Sequence, residues 1–167
     1  MFSYLLFNFL LYSLLGFIIE QFYALFSRGH FKSEGFLYGP FKPMYGFAMT
    51  FLVYAKYILN LNFLAMVILA FAVPTAVEYI SGLLIKSRWG ILYWDYSSIR
   101  PNLQGFICLP FSLAWTILCL AGIYALQPLL NDFFIVTAMF WQLLLWPIIF
   151  YFLLDFLFTL KRLEAVS

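Results

Sequence analysis

Five apolar runs, each near or above the roughly 20 residues that a bilayer span requires, are separated by short segments that hold most of the polar side chains. The runs, at about 3–27, 43–60, 62–85, 106–128 and 133–160, predict five transmembrane helices. The last is long for a span. Pro147 inside it predicts a tilt or a bend, because the proline ring removes a backbone donor and clashes with the preceding turn. The first run begins at once with "FSYLLFNFLLYSLLGFII", with no basic residue before it and no small-residue cleavage site after it, so it reads as a span rather than a removable signal peptide. No soluble domain is left over, and residues 1–167 form one membrane domain.

The basic residues orient this arrangement. With the N-terminus outside and the C-terminus cytoplasmic, the inner segments hold Arg28, Lys32, Lys42, Lys86, Arg88, Arg100, Lys161 and Arg162, and the outer side holds only Lys56. That asymmetry follows the positive-inside rule, and adding or removing a span would scatter it across both faces. The expected fold is therefore an all-α integral membrane five-helix bundle, placed in a bacterial cytoplasmic membrane.

Composition narrows the function. The chain is 66% hydrophobic, 23% aromatic and only 10% charged, against about a quarter charged in a soluble domain. A net charge of +2 without a basic tail or platform sets nucleic acid aside. Cys108 and Cys119 lie on one helix face but about 16 Å apart, too far for a disulfide. The single histidine, His30, has no ligand-spaced partner, so neither a metal site nor a cofactor is indicated.

Two segments echo each other. "GFLYGPF" at 35–41 and "GFICLPF" at 105–111 share G-F-x-x-x-P-F, and each is expected to open a helix running outward from the cytoplasmic side. The span before each carries one acidic residue, Glu20 or Glu78. Spans one and two and spans three and four then read as parallel repeats about an axis along the membrane normal, with the fifth span added. The alternative is chance matching in a chain with 22 phenylalanines, since glycine and proline favour helix entrances generally.

Charges inside spans are costly and usually face a bundle interior or a wet cavity. Glu20 and Glu78 lie about six and seven residues from their inner helix ends, a depth of roughly 9–10 Å, and Asp155 sits at similar depth. The two glutamates are candidates to hold protons or cations, or else to pair with Arg28 and with Lys86 or Arg88. Asp155 reads as an anchor reaching Lys161 and Arg162, and Lys56 as a snorkelling residue. The loop "KSRWGILYWDYSSIRPNLQG" concentrates Trp94, Asp95, Tyr96, Arg100 and Asn102, either as an interfacial aromatic belt or as a lid over the helix mouths. At those mouths, whose entrances also carry Pro40, Pro43 and Pro110, Gly35, Gly39, Gly46 and Gly105 would let a ligand approach unpaired backbone N–H groups.

Gly16 with Glu20, then "GFLYGPFKPMYGF", "EYISG", "WDYS" and "NLQGFICLPFSLAW" resemble, in that order, the CmpB-like ABC-transporter permease family, small multi-span membrane proteins with uncharacterised animal relatives. The similarity covers most of the first four spans and not the fifth. It implies that Glu20, Gly35, Pro40, Pro43, Tyr45, Gly46, Glu78, Gly82, Trp94, Asp95, Tyr96, Ser97, Asn102, Gly105 and Trp115 are characteristic positions. Many family members carry Arg after the glycine at 105, where this chain has Phe106, which weakens an anion role there. The chain has no G-x-x-x-x-G-K-[ST] loop and no long cytoplasmic coupling segment, so sequence does not support an ATPase partner.

Three functions compete. The first is a transporter or permease-like component, with the bilayer around it and a homo-oligomer as its working state, binding a small polar or lipid-headgroup substrate at a cytoplasmic-side vestibule. Glu20 and Glu78 would carry protons or a cation there, with Asp95, Arg100 and Asn102 orienting the ligand. The second is a membrane-embedded enzyme acting on lipid by carboxylate acid/base catalysis, disfavoured by the lack of any Ser/His, Cys/His or metal set. The third is a non-catalytic membrane subunit whose polar layer fixes helix packing.

Overall fold

The computed structural model describes residues 1–31 and 36–166, apart from the side chains of Arg28 and Val166. Lys32 and Gly35 lie outside the described residues, and so does the side chain of Arg28. Helix α1 spans Phe2–Arg28 and α3 spans Phe63–Trp89. Each ends on a left-handed glycine, Gly29 or Gly90, whose N–H closes the last turn. Helix α2, Pro43–Val53, begins on a proline preset for the first helical position and continues through a π turn over Tyr54–Ile58. A two-stranded antiparallel hairpin, β1 Asn102–Leu103 and β2 Ile107–Cys108, leads into α4, Leu109–Ala121.

A second π turn, Gly122–Leu126, joins α4 to α5, Gln127–Val166, without interruption. The expected gap between residues 128 and 133 is therefore absent. The reason is local. Gln127 donates its N–H to the Gly122 carbonyl, five residues back, which widens the turn in front of Pro128 and admits the proline ring. The polar side chains that resemble a loop, Gln127 and Asn131, instead reach α1. Tyr12 Oη donates to Gln127 Oε1 (2.7 Å), and Gln127 Nε2 donates to Asn8 Oδ1 and Asn131 Oδ1 (both 2.8 Å).

Among the described residues three helices are long and apolar enough to cross a membrane: Phe2–Ser27, Phe63–Trp89 and the 57-residue Leu109–Ala165. A straight helix of that last length would run about 85 Å, against a bilayer core of about 30 Å. It cannot be straight. Trp115 packs on Tyr45 (ring centroids 5.2 Å) while Asp155 bonds Gly39 N–H (2.8 Å). Residues 39–45 span at most about 20 Å, whereas straight helix from 115 to 155 would cover about 60 Å. Contacts along α5 first run toward Met1, with Gln127 at Tyr12 and Asn131 at Tyr4, and then return, with Phe152 at Phe9 and Asp155 at Gly39. The reversal lies between Asn131 and Phe152, a stretch that contains Pro147.

Tyr12, Met49, Leu52, Met66, Ala70, Cys119 and Ile123 form the main buried core, where the first four helices meet away from the basic ends. Both cysteines are buried and free. Lys56 lies over the Tyr124 ring, 5.3 Å from its centroid. The two echoing segments differ in register. Pro40 precedes α2 by three residues, whereas Pro110 lies inside the first turn of α4.

Candidate functional site

Both helix mouths fold back into the bundle. Lys42 N–H donates to the Ser13 carbonyl (2.9 Å), and Ser13 precedes the end of α1 by 15 residues, about 22 Å. Helix α2 with its π turn starts where the expected 43–60 span starts and ends two residues early, at Ile58, while residues 36–42 supply a non-helical entry to it. Such backbone is tolerated at membrane depth only when protein covers it and its polar groups are paired. Asp155 supplies much of that pairing: Oδ1 accepts from Tyr38 N–H (2.9 Å) and Oδ2 from Gly39 N–H (2.8 Å). Arg162 adds a bond to the Phe36 carbonyl (2.8 Å) and lies over the Tyr38 ring at 4.4 Å. Asp155 is therefore a clamp on this segment rather than an anchor to Lys161 or Arg162. The Tyr45 ring fills the space beside Gly16, and Ser13 and Phe9 fill that beside Gly46, so small residues let α1 and α2 approach closely.

At this mouth Lys42 Nζ pairs with Glu20 Oε2 at 2.9 Å. That lysine enters α2 between Pro40 and Pro43, and the pairing of Glu20 with Arg28 expected from sequence falls outside the described residues. At the other mouth Tyr96 Oη donates to Glu78 Oε1 (3.0 Å), in place of Lys86 or Arg88. Trp115 approaches the same carboxylate, but Glu78 Oε2 is buried without a hydrogen-bond partner. Lys86 instead lies over the Phe106 ring (5.4 Å).

The loop after α3 packs inward as well. Trp94 Nε1 donates to the Phe106 carbonyl (2.9 Å), and Phe106, 3% exposed, occupies the notch left by Gly82. Phe111 stacks on Tyr96 at 4.8 Å. Asp95 and Asn102 organise the loop itself. Asp95 Oδ1 accepts from Ser97 N–H (2.8 Å), which holds its carboxyl below the usual aspartate range. Asn102 Nδ2 donates to the Ile99 carbonyl (2.7 Å), and its Oδ1 accepts from Gly105 N–H (3.2 Å). Gly105 has φ 75° and lies where a Cβ would meet Asp95 Oδ1 at 2.7 Å, so only glycine suits the position. Arg100 is exposed on this loop. Burial, reinforced by the Glu78 charge, pushes the Tyr96 hydroxyl far above its ordinary value and keeps it a proton donor to Glu78.

Tyr45 lies within electrostatic reach of both Glu20 and Glu78, and its ring meets Trp115. The polar layer therefore comprises Glu20, Lys42, Tyr45, Glu78 and Tyr96. Asp95, Arg100 and Asn102 lie outside it. Lys42 is the member that reading the chain missed, because a lysine at a cytoplasmic helix start is already accounted for by membrane orientation.

Beside this layer opens a cleft of about 800 Å³ between α3 and α5, with the first turn of α2 as its floor. Glu20, Lys42 and Arg88 bring charge to it, while Phe47, Leu84 and Phe156 represent its largely apolar walls. Trp94 reaches this cleft; Glu78, Tyr96 and the other loop candidates do not line it.

A helical membrane protein with two recessed helix mouths and a charged layer beneath them is the class that this geometry defines. The chain belongs to the family described as "Putative ABC-transporter type IV", whose model matches residues 7–160. That match extends into α5 as far as residue 160, beyond the first four expected spans. No curated protein and no solved structure gives a match.

Proposed function

We propose that this protein is a permease-like transport component of the bacterial cytoplasmic membrane that binds a small polar or lipid-headgroup ligand in the cleft between α3 and α5. The cleft itself carries this reading. Its volume falls within the range of ligand sites, which combine mainly apolar walls with a few placed polar groups. In this reading the cleft faces the cytoplasmic side, the polypeptide crosses the bilayer five times with its N-terminus outside, and the working unit is a homo-oligomer.

Glu20 and Lys42 orient the ligand's polar part, and Glu78 holds or releases a proton during transport. The lipid-enzyme alternative loses ground because Glu78, the more buried carboxylate, does not line the cleft.

The test removes the Glu20–Lys42 pair as a unit, since leaving either charge alone would be destabilising. In native mass spectrometry of protein purified in mild detergent, the Glu20→Gln/Lys42→Met variant should lose a ligand that the parent retains. Unchanged retention by a folded variant would overturn the site. Glu78→Gln should keep the ligand and abolish uptake into proteoliposomes.

A further inference from the structure

Deepening this reading, and resting on it, we propose that the ligand is an anionic amphiphile that enters sideways from the bilayer, its acidic headgroup at Arg88 and Lys42 and its tail between α3 and α5. The charge content of the cleft points to the headgroup. Lys42 is already paired with Glu20 at 2.9 Å, so that pair contributes little net charge. Arg88 lines the same cleft and makes no ion pair among the described residues. It stands one residue before the end of α3. The N-terminus of α2 also opens here through Pro43 and Met44, directing the positive end of its helix dipole into the cleft. One unneutralised guanidinium, one paired lysine and a positive helix end favour an anion. Guanidinium in particular suits the planar or tetrahedral oxygens of carboxylate and phosphate.

The walls point to the tail. Away from the charged floor, the cleft is bounded by Phe47, Leu84, Phe152, Leu153 and Phe156. Phe47, Leu84 and Leu153 are also at least half exposed on the outer surface of the bundle. The space between α3 and α5 is thus continuous with the surface that acyl chains cover. A free phosphate or a small soluble acid would leave this apolar length unfilled. A tailed anion uses both parts, and lateral entry spares its chain a passage through water.

The same headgroup chemistry is available from a lipid or from free phosphate, and the test separates them. The full-length protein would be reconstituted in nanodiscs containing equal phosphatidylglycerol and phosphatidylcholine, extracted gently and examined by native mass spectrometry. Parallel samples would be offered inorganic phosphate or glycerol phosphate. Phosphatidylglycerol should be retained in preference to phosphatidylcholine. Arg88→Gln, at an exposed position, should weaken that retention by roughly tenfold, the scale of one charge-assisted contact. Leu84→Trp, which narrows the tail channel at an exposed position, should abolish it, and the melting temperature of each variant would verify folding.

Equal retention of the two lipids with no effect of Arg88→Gln would overturn the anionic assignment. Binding of glycerol phosphate that is indifferent to Leu84→Trp would overturn the tail and lateral entry, yet leave a cleft for small polar ligands standing. Absence of any retained ligand would remove both readings.

Discussion

At the scale of single residues, Asp155 shows how an acid inside a span is justified without carrying out transport. Each of its oxygens accepts one backbone N–H from the segment that feeds α2. Replacing it with alanine leaves two amides without their acceptors, at a cost of about 3 kcal/mol, and Asp155→Asn, which keeps one oxygen acceptor, should cost about half as much. Thermal unfolding in mild detergent should order parent, Asn and Ala in that sequence; equal midpoints would show that the clamp contributes nothing. Asp95 behaves differently because it is exposed. Its carboxyl titrates below the ordinary 3.8, so the stability it lends the loop is present above that value and is lost as pH falls below it. Protease cleavage within residues 95–105 should therefore rise on acidification in the parent, while Asp95→Asn should show a flat, already elevated rate with acid-active protease. These roles also mark what the chain discloses. Glu20 and Glu78 stand out as lone acids in apolar runs, and both lie within electrostatic reach of Tyr45. Asp155 is equally visible, yet its partners are backbone amides 116 and 117 positions away, and no side-chain pattern announces a backbone target.

Among the elements, the joined α4 and α5 depart furthest from expectation. Gln127, Asn131 and the adjacent Pro128 have the composition of a connecting loop, but the π turn accommodates the proline and α1 supplies the amide partners. Whether polar residues interrupt a helix or bind its neighbour depends on tertiary partners, which local composition does not contain. The apolar runs place α1 and the start of α3 within a residue or so, whereas α3 continues past the expected end at 85 to Trp89, because its last turn carries the polar Lys86, Ser87 and Arg88 before Gly90 closes it. The return of α5 can be tested directly. Phe9 and Phe152 have ring centroids 5.6 Å apart, although a straight helix would carry Phe152 far from the start of α1. In a variant with Cys108 and Cys119 replaced by alanine, Phe9→Cys and Phe152→Cys should form an intramolecular cross-link with a short bifunctional reagent. Phe9→Cys paired with Val136→Cys, which projects from the exposed face of α5, should not. Failure of the first pair in folded protein would show that α5 does not return along α1.

For the whole molecule, the return of α5 bears on the proposed five-passage topology. Among the described residues, uninterrupted helices form four units: α1, α2 with its π turn, α3, and the long run from Leu109. If each crossed once, both termini would lie on one side. The long run, however, reaches the layer of residues 39–45 from both its Trp115 and Asp155 portions, so the chain reverses within it, and in the proposed topology it contributes two passages. Five passages would place the termini on opposite sides. In that topology the basic residues would select the orientation, because Lys86, Arg88, Lys161 and Arg162 cluster at the end that carries the cleft and the C-terminus. Fusions at the two termini separate the cases. A fluorescent protein that matures only in the cytoplasm should be bright at the C-terminus and dark at the N-terminus, while a periplasmic phosphatase should show the reverse. Activity of the same reporter at both ends would remove the second passage of the long helix and, with it, the assignment of the cleft to the cytoplasmic side.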